Sequence, residues 1–222
     1  MLKIGHRGAK FYEPENTLRS FKKALELGVD AVELDVRRTK DGEVVVIHDP
    51  KVDRTTNGKG LVSEFTLEEI KKLVTEKGEK IPTLGEALDF LGKRVKVLIE
   101  LKEAGIEEAV LNLVHEKGLR RNVIIISFLE DVLRRIRELD GDIETGLIYV
   151  RHEDPVKVAL ELKANYILPL YRFTNSAEIG KAHENGLKVI VWTINDDKEI
   201  SEYAKKSVDG ITSDKPDILK IG

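Results

Sequence analysis

Short apolar segments alternate with amphipathic segments along the 222 residues of this chain, and this alternation constrains the fold more than any other feature. Apolar, β-branched runs predict strands near residues 2–5, 31–36, 95–101, 122–127, 145–149, 165–169, 188–193 and 208–212. Helical periodicity predicts helices near residues 17–27, 84–91, 104–117, 129–139, 155–163, 175–185 and 196–206. Repeated strand–helix units form parallel sheets. We therefore predict an α/β fold, a (β/α)8 TIM barrel, with an open doubly wound sheet as the alternative.

The segment after the second strand is longer than one crossover helix requires. An apolar run at residues 44–47 follows a Lys-Asp-Gly turn and predicts a hairpin that folds back on the second strand. A short capped helix is expected at residues 66–74. We interpret residues 50–82 as a small insertion over the barrel mouth, within a single domain that spans residues 1–222. The alternative is a structural excursion without a function.

The composition excludes several classes of protein. Lysine plus arginine (37) nearly balances aspartate plus glutamate (40), so a net charge of −3 gives no general attraction to nucleic acid or anionic lipid. The absence of cysteine excludes disulfides, thiolate catalysis and zinc–cysteine sites. No secretion signal is visible, and no apolar run reaches the roughly 20 residues of a membrane-spanning helix, so we expect a soluble cytoplasmic protein. The high charge content, with one methionine, resembles thermophile proteins.

The first predicted strand runs directly into His6, Arg7 and Gly8. Catalytic groups of α/β barrels lie where the strands end in loops. A titratable imidazole beside a fixed positive charge indicates proton transfer on an anionic substrate. We expect Gly8 to keep the backbone slim where substrate passes.

Acidic residues end two further apolar runs. Residues two apart on a strand share a face, so Glu33 lies beside Asp35, and Glu100 beside Lys102. Either pair alone would more often be a solvated face of an edge strand. If both faces look into the barrel mouth, three carboxylates converge, and a bound cation relieves their repulsion. Oxygen-only ligands favour one Mg²⁺, Ca²⁺ or Mn²⁺ ion over zinc.

A second histidine, His48, also ends an apolar run, at the end of the predicted hairpin. A divalent ion together with Arg7 and Lys102 would make a positive pocket suited to phosphate. His6 and His48 could then supply a base and an acid across a phosphorus centre. The sequence does not assign these two roles.

These residues belong to a larger pattern that resembles the glycerophosphodiester phosphodiesterase family. Its motifs occur in order along the whole chain: His6-Arg7-Gly8, Pro14-Glu15-Asn16-Thr17, Glu33-Leu34-Asp35-Val36, Thr39-Lys40-Asp41-Gly42, His48-Asp49, Asp53-Arg54-Thr55-Thr56, Ile81-Pro82-Thr83-Leu84, Glu100-Leu101-Lys102, Ser127-Phe128, Trp192-Thr193-Ile194-Asn195 and Asp209-Gly210-Ile211-Thr212-Ser213-Asp214. The resemblance implies hydrolysis of glycerophosphodiesters, such as glycerophosphocholine or glycerophosphoethanolamine, to glycerol 3-phosphate and an alcohol. It also implies a barrel with a small insertion after the second strand, and a cyclic phosphate formed by the glycerol 2-hydroxyl.

The resemblance also assigns roles to individual residues. It implies that the metal ligands are Glu33, Asp35 and Glu100, and that the catalytic histidines are His6 and His48. Arg7 and Lys102 match phosphate-binding positions, and Phe128 and Trp192 match apolar residues on the glycerol side. The charged site positions show no departure from the family pattern.

Three other functions stay open at the level of sequence. The same site could cleave lysophospholipids as a lysophospholipase D does. Lys102 could serve a Schiff-base aldolase, although Glu100 and a nearby metal would keep that lysine protonated. The barrel could also bind phosphorylated ligands without catalysis.

Four other residues are expected to be structural. His115 and His183 suit the C-terminal ends of predicted helices, His152 follows the fifth strand among ordinary loop charges, and Asp214 is expected to cap the last helix. The head group of the substrate and the oligomeric state are not predicted.

Overall fold

The computed structural model describes residues 1–219, in which nine strands alternate with eight α-helices. The strands are β1 (Leu2–Gly5), β2 (Ala31–Arg38), β3 (Val44–Val46), β4 (Lys96–Leu101), β5 (Val123–Ser127), β6 (Glu144–Tyr149), β7 (Tyr166–Pro169), β8 (Lys188–Val191) and β9 (Gly210–Ser213). The helices are α1 (Leu18–Glu26), α2 (Leu67–Lys72), α3 (Leu84–Leu91), α4 (Glu107–Glu116), α5 (Glu130–Leu139), α6 (Pro155–Glu161), α7 (Ser176–Glu184) and α8 (Asp197–Lys205). The predicted strands and helices are all present.

Pairing of the first and last strands closes the sheet into a barrel. β1 lies parallel to β9, with Leu2 opposite Gly210, and also parallel to β2, with Ile4 opposite Ala31. The remaining strands follow parallel to one another in the order β9, β8, β7, β6, β5, β4 and β2. The predicted (β/α)8 barrel is confirmed, and the open-sheet alternative is wrong because an open sheet would lack the β1–β9 pair.

Side chains alternate between the helix-facing side of each strand and the barrel interior. On β2, Val32, Leu34 and Val36 are buried against the helices, in a cluster that includes Leu84 and Leu88 of α3. The interior is filled by large apolar side chains: Ile4, Leu98, Ile124, Ile126, Ile148, Tyr166, Leu168 and Ile190. This apolar layer separates two polar ends of the barrel: Lys96, Glu144 and Lys188 lie at the N-terminal ends of their strands, and the polar side chains at the C-terminal ends form the mouth.

The hairpin strand β3 pairs antiparallel with β2 as predicted, with Val36 opposite Val46. Beyond it, residues 50–82 form a small cluster of their own, in which Val52, Val62, Ile70 and Ile81 pack on the outer side chains of the hairpin. The predicted helix at 66–74 is present but shorter, because Leu73 already has extended backbone angles.

Local sequence signals account for the ends of several helices. Thr83 and Glu86 form the capping box that their spacing predicts at the start of α3. The predicted helix near 104–117 begins later, at Glu107, and the predicted strand near 188–193 ends at Val191. Within residues 1–219, no helix is long and apolar enough to cross a membrane.

Candidate active site

A pocket of about 210 Å³ opens at the C-terminal ends of the barrel strands. One side carries ionisable groups: His6, Arg7, Glu33, His48, Glu100 and Lys102. The other side is apolar: Leu98, Ile126, Phe128, Ile148, Leu168 and Trp192. These two groups contain every site residue predicted from the sequence except Asp35, which is fully buried beside Glu33 and Glu100.

The three predicted carboxylates converge. Glu33 and Asp35 share the inner face of β2, and the strand register places Asp35 opposite Glu100 of β4. One oxygen from each carboxylate lies within 4.8 Å of the others, and all three residues are buried. Oε1 of Glu33 and Oδ1 of Asp35 are buried without a hydrogen-bond donor. Buried anionic oxygens without donors are costly, so this donor set fits a hard divalent cation.

The electrostatics of the carboxylates lead to the same conclusion. Burial, together with the charges of Asp35 and Glu100, raises the pKa of Glu33 well above its usual value. Burial and the charge of Asp35 raise the pKa of Glu100 to about 7. Burial acts on Asp35 in the same direction, but Arg7, Lys102 and His48 outweigh it and lower the pKa of Asp35. Full ionisation of the cluster therefore requires more positive charge than the protein supplies.

Two cationic side chains flank the acids. The backbone N–H of Arg7 donates to Glu33 at 2.9 Å, and its Nε lies 3.2 Å from Asp35 Oδ2. Nζ of Lys102 donates to Glu100 Oε1 at 2.6 Å and lies 3.5 Å from Asp35 Oδ1. Arg7 holds a left-handed backbone conformation, with φ of 51°. Such strain in a residue other than glycine is typical of functional sites.

Each predicted catalytic histidine is held by an aspartate. Nδ1 of His6 lies 2.6 Å from Asp214 Oδ1, and Nδ1 of His48 lies 2.6 Å from Asp49 Oδ1. Although burial opposes it, the hydrogen bond from His6 lowers the pKa of Asp214 to about 2. An ionised carboxylate only accepts hydrogen bonds, so Nδ1 of His6 carries the proton.

The proton on Nδ1 leaves the other ring nitrogen of His6 free for proton transfer. This nitrogen, Nε2, lies 3.9 Å from Oε2 of Glu33. Burial lowers the pKa of both His6 and His48, which favours neutral rings that can accept a proton.

The apolar side of the pocket contains two aromatic rings. Phe128 and Trp192 meet edge to face, with ring centroids 5.6 Å apart. Nζ of Lys102 lies 5.8 Å from the centroid of Phe128, and Nε1 of Trp192 donates to the carbonyl of Leu168 at 2.8 Å. The aromatic pair therefore lies against the charged group that ends β4.

A family model described as the glycerophosphoryl diester phosphodiesterase family matches residues 6–218. The chain belongs to this family. A glycerophosphodiester phosphodiesterase from Caldanaerobacter subterraneus subsp. tengcongensis is 41% identical, over 98% of this chain and 96% of its own length. The crystal structure of a glycerophosphodiester phosphodiesterase from Agrobacterium tumefaciens has a TM-score of 0.90 and 32% identity, over 99% of both chains. A phosphodiesterase from Oleispira antarctica, solved with the product sn-glycerol-3-phosphate, has a TM-score of 0.90 and 28% identity, over 98% of this chain and 94% of its own.

In this member of the glycerophosphoryl diester phosphodiesterase family, the expected role of Asp214 is wrong. The final turn, Pro216–Ile218, begins without a side-chain cap. Asp214 instead accepts hydrogen bonds from His6 and, at 2.8 Å, from Nδ2 of Asn195. No local pattern indicates this contact, because it joins the first strand to the residue after the last one.

The expected role of Gly8 is also wrong. Gly8 has φ of +85°, and a Cβ atom there would lie 2.4 Å from Oγ and 2.7 Å from the backbone carbon of Ser20. The glycine is therefore required by the close approach of the loop to α1, not by the passage of substrate.

Several motif residues had no assigned role before the structure, although they contact the site. Asn16 donates to Asp35 at 2.8 Å, Glu15 accepts from Arg7 at 2.8 Å, and Asp49 holds His48. Asp49 could have been found from its position next to a histidine. Glu15 and Asn16 depend on a loop that folds back onto the mouth.

The three remaining histidines pair with groups outside the pocket. In the last turns of α4 and α7, His115 pairs with Asp140 at 2.8 Å and His183 pairs with Asp209 at 2.9 Å. Nδ1 of His152 accepts from a backbone N–H in its own loop at 3.2 Å. These contacts agree with the structural roles expected for the three histidines.

Proposed function

We propose that this chain hydrolyses glycerophosphodiesters to glycerol 3-phosphate and an alcohol, with a divalent cation and two histidines. The observation that carries the proposal is the meeting of three buried acids, two cationic side chains and two aspartate-held histidines in one pocket. The product bound in the Oleispira antarctica relative supports the same class of substrate. Glycerophosphocholine and glycerophosphoethanolamine are the substrates we expect.

Glu33, Asp35 and Glu100 would hold the cation, which we expect to be Mg²⁺, Ca²⁺ or Mn²⁺ because all three ligands are carboxylates. When bound, the ion supplies positive charge that polarises the phosphoryl oxygens. Arg7 and Lys102 would bind the same phosphate and stabilise the charge that develops on it.

The histidines would move the protons. One histidine, neutral at the start, accepts a proton from the attacking oxygen at Nε2, and the other, protonated on both ring nitrogens, donates its Nε2 proton to the departing alcohol. The attacker we expect is the glycerol 2-hydroxyl, whose oxygen forms a bond to phosphorus as the bond to the alcohol breaks. Water then forms a bond to phosphorus as the bond to the 2-oxygen breaks, one histidine accepting the proton of the water and the other returning a proton to the 2-oxygen, which gives glycerol 3-phosphate. Asp49 and Asp214 keep Nδ1 of each ring protonated, so Nε2 exchanges the proton.

The apolar side of the pocket would receive the uncharged part of the substrate. Phe128 and Trp192 would contact the glycerol carbons. Because one side of the pocket is lined by apolar side chains, lysophospholipid cleavage is the second candidate function. An aldolase role for Lys102 is disfavoured, because its ammonium group is engaged by Glu100 and Asp35. Residues 50–82 would be an insertion at the edge of the mouth, within the one domain.

The test is release of glycerol 3-phosphate from glycerophosphocholine and glycerophosphoethanolamine, and of lysophosphatidic acid from lysophosphatidylcholine, with each of the three ions or with a chelator. We expect activity with at least one ion and none with the chelator. Absence of activity under every condition would refute the proposal. His6→Ala should abolish turnover but keep metal binding, whereas His183→Ala, outside the pocket, should preserve both.

A further inference from the structure

One arginine of the insertion joins two carboxylates that serve different parts of the candidate site. Nε and Nη2 of Arg54 donate to the two oxygens of Asp49 at 2.6 and 3.1 Å. Its Nη1 and Nη2 donate to the two oxygens of Glu15, both at 2.8 Å. Asp49 holds Nδ1 of His48, and Glu15 accepts from Nη1 of Arg7. One guanidinium group therefore connects a candidate catalytic histidine to a candidate phosphate-binding arginine.

We propose that Arg54 is a positioning residue for diester hydrolysis, which fixes the His48 ring relative to the guanidinium of Arg7. This inference rests on the function proposed above. Arg54 lines a neighbouring pocket of about 210 Å³, between the loop after β1 and the insertion. It would therefore act on the reaction through Asp49 and Glu15 rather than by contact with substrate.

The chemistry of the contact requires an arginine. A guanidinium is a rigid plane with five N–H donors, so it can form two-pronged hydrogen bonds to two carboxylates at once. Lysine has one flexible ammonium group and cannot reproduce both forks. The hydrogen bonds from Arg54 lower the pKa of Asp49, and together with the charge and hydrogen bond of Arg7 they bring the pKa of Glu15 to about 2 although burial opposes them. Both carboxylates are therefore ionised acceptors.

The backbone around Arg54 is anchored. Val52 is fully buried in the small core of the insertion, and its carbonyl accepts from Oγ1 of Thr56 at 2.8 Å. Oδ1 of Asp53 accepts from the backbone N–H of Gly60 at 3.0 Å. A guanidinium on an anchored turn can hold its two carboxylates in a fixed geometry.

A contribution to the stability of the fold does not by itself explain the hydrogen bonds of Arg54 to Asp49 and Glu15. The Arg54 side chain is 48% exposed, and ion pairs at such exposure add little to the stability of a fold. Positioning of reacting groups is far more sensitive, since a displacement of about 1 Å lowers a rate by about 100-fold. Loss of Arg54 should therefore affect catalysis much more than folding.

The experiment compares the full-length protein with its Arg54→Ala variant in the glycerol 3-phosphate release assay. We expect kcat to fall by roughly 10- to 100-fold, with a smaller change in KM and nearly the same melting temperature. Added guanidinium chloride at millimolar concentration should restore part of the rate. Arg54→Lys should remain impaired. The matched control is Lys72→Ala, which removes an exposed ion pair with Glu68 in the same insertion and should leave kcat unchanged.

A second readout does not depend on activity. Nitrogen-15 NMR of labelled histidine reports which ring nitrogen of His48 carries the proton, with the signal assigned through a His48→Ala sample. We expect the Nδ1–H form in the parent protein and a mixture of both forms in Arg54→Ala.

A double-mutant comparison returns to the rate. The losses in kcat caused by Arg54→Ala and by Asp49→Asn should be less than additive in the double variant, because both substitutions act on the His48 ring.

The outcomes separate the two proposals. A parent protein that is inactive on every diester refutes the proposed function, and the NMR experiment still tests the link from Arg54 to His48. An active parent whose Arg54→Ala variant keeps kcat within twofold and an unchanged His48 spectrum overturns the inference. If Arg54→Ala does not fold, Arg54→Gln takes its place with the same expectations.

Discussion

Replacement of Asp214 by asparagine should reverse the hydrogen bond that holds His6. The side chain of Asn195 has a fixed orientation, because its Oδ1 accepts from Oγ of Ser213 at 3.0 Å and from the backbone N–H of residue 214 at 2.9 Å. Its amide nitrogen must therefore face residue 214, where it donates at 2.8 Å. An asparagine at 214 would turn its own oxygen toward that nitrogen and its NH₂ group toward His6. Nδ1 of His6 would then have to accept, and the ring proton would move to Nε2.

The expected loss follows from the role of Nε2. With its proton on Nε2, a neutral His6 can no longer accept a proton there, so it fails if it is the base; if it is the acid, it loses the carboxylate of Asp214 that stabilises its protonated ring. The same reversal in a serine protease triad lowers kcat by about 10⁴. General acid–base catalysis by one side chain contributes about 10²- to 10⁴-fold. We therefore expect Asp214→Asn to lower kcat by about 10²- to 10⁴-fold, or about 2.7–5.4 kcal/mol in activation free energy.

The assay is kcat for glycerol 3-phosphate release at saturating metal, combined with nitrogen-15 NMR of the His6 ring. The matched control is Asp209→Asn. Asp209 pairs with His183 at 2.9 Å but precedes β9, at the barrel end opposite the pocket. The control should keep full activity. A variant at 214 that shows the reversed tautomer and still turns over within threefold of the parent would refute the proposed role of His6.

Four further predictions follow from the same geometry. Glu100→Gln should weaken metal binding by roughly tenfold or more, as measured by calorimetric titration, because it removes one of three carboxylate ligands. Gly8→Ala should destabilise the fold by about 2 kcal/mol or more in urea unfolding, since its Cβ would lie 2.4 Å from Oγ of Ser20 at a positive φ. Hydrogen bonds, led by that from Arg120, outweigh the burial of Asp140 and lower its pKa. The stability that this ionised carboxylate contributes should therefore be full above pH 4 and fall as the pH drops toward its folded-state pKa. Asp140→Asn should flatten this loss in acid unfolding curves. A 2-deoxyglycerol diester should be nearly inert, and turnover equal to that of the parent substrate would exclude the cyclic phosphate.

Features that depend on the period of a strand were predictable from the sequence. The two-residue period alone places Glu33 beside Asp35 on one face, and the structure agrees. The end of the first apolar run located His6 at the mouth, because barrel strands present their C-terminal residues there. His48 follows β3, which runs antiparallel to β2, so the same rule does not account for its place in the pocket.

Features that depend on closure of the barrel were not predictable in this way. Asp214 lies 208 residues from His6 along the chain and reaches it because β9 pairs with β1. Arg54 reaches Glu15, 39 residues away, because the insertion folds back onto the loop after β1. Contacts between residues so far apart leave no periodic pattern in the sequence. Asp214 and Arg54 could be singled out only because they belong to family motifs, and a motif does not say which residue each one contacts.

The mouth divides into two halves, and this division has a physical consequence. The charged groups come from β1, β2, β4 and the β3 hairpin, whereas β5 to β8 supply apolar side chains such as Ile126, Ile148 and Leu168. Electrostatic interactions are stronger where water is excluded. An apolar wall opposite the charged side chains therefore strengthens their electrostatic interactions with a phosphate. A phosphodiester has the complementary form, with one charged phosphate between two esterified alcohol groups, which are its two arms. The half of the mouth that carries no charge would therefore set which arms fit, while the charged half would act on any phosphodiester that reaches it.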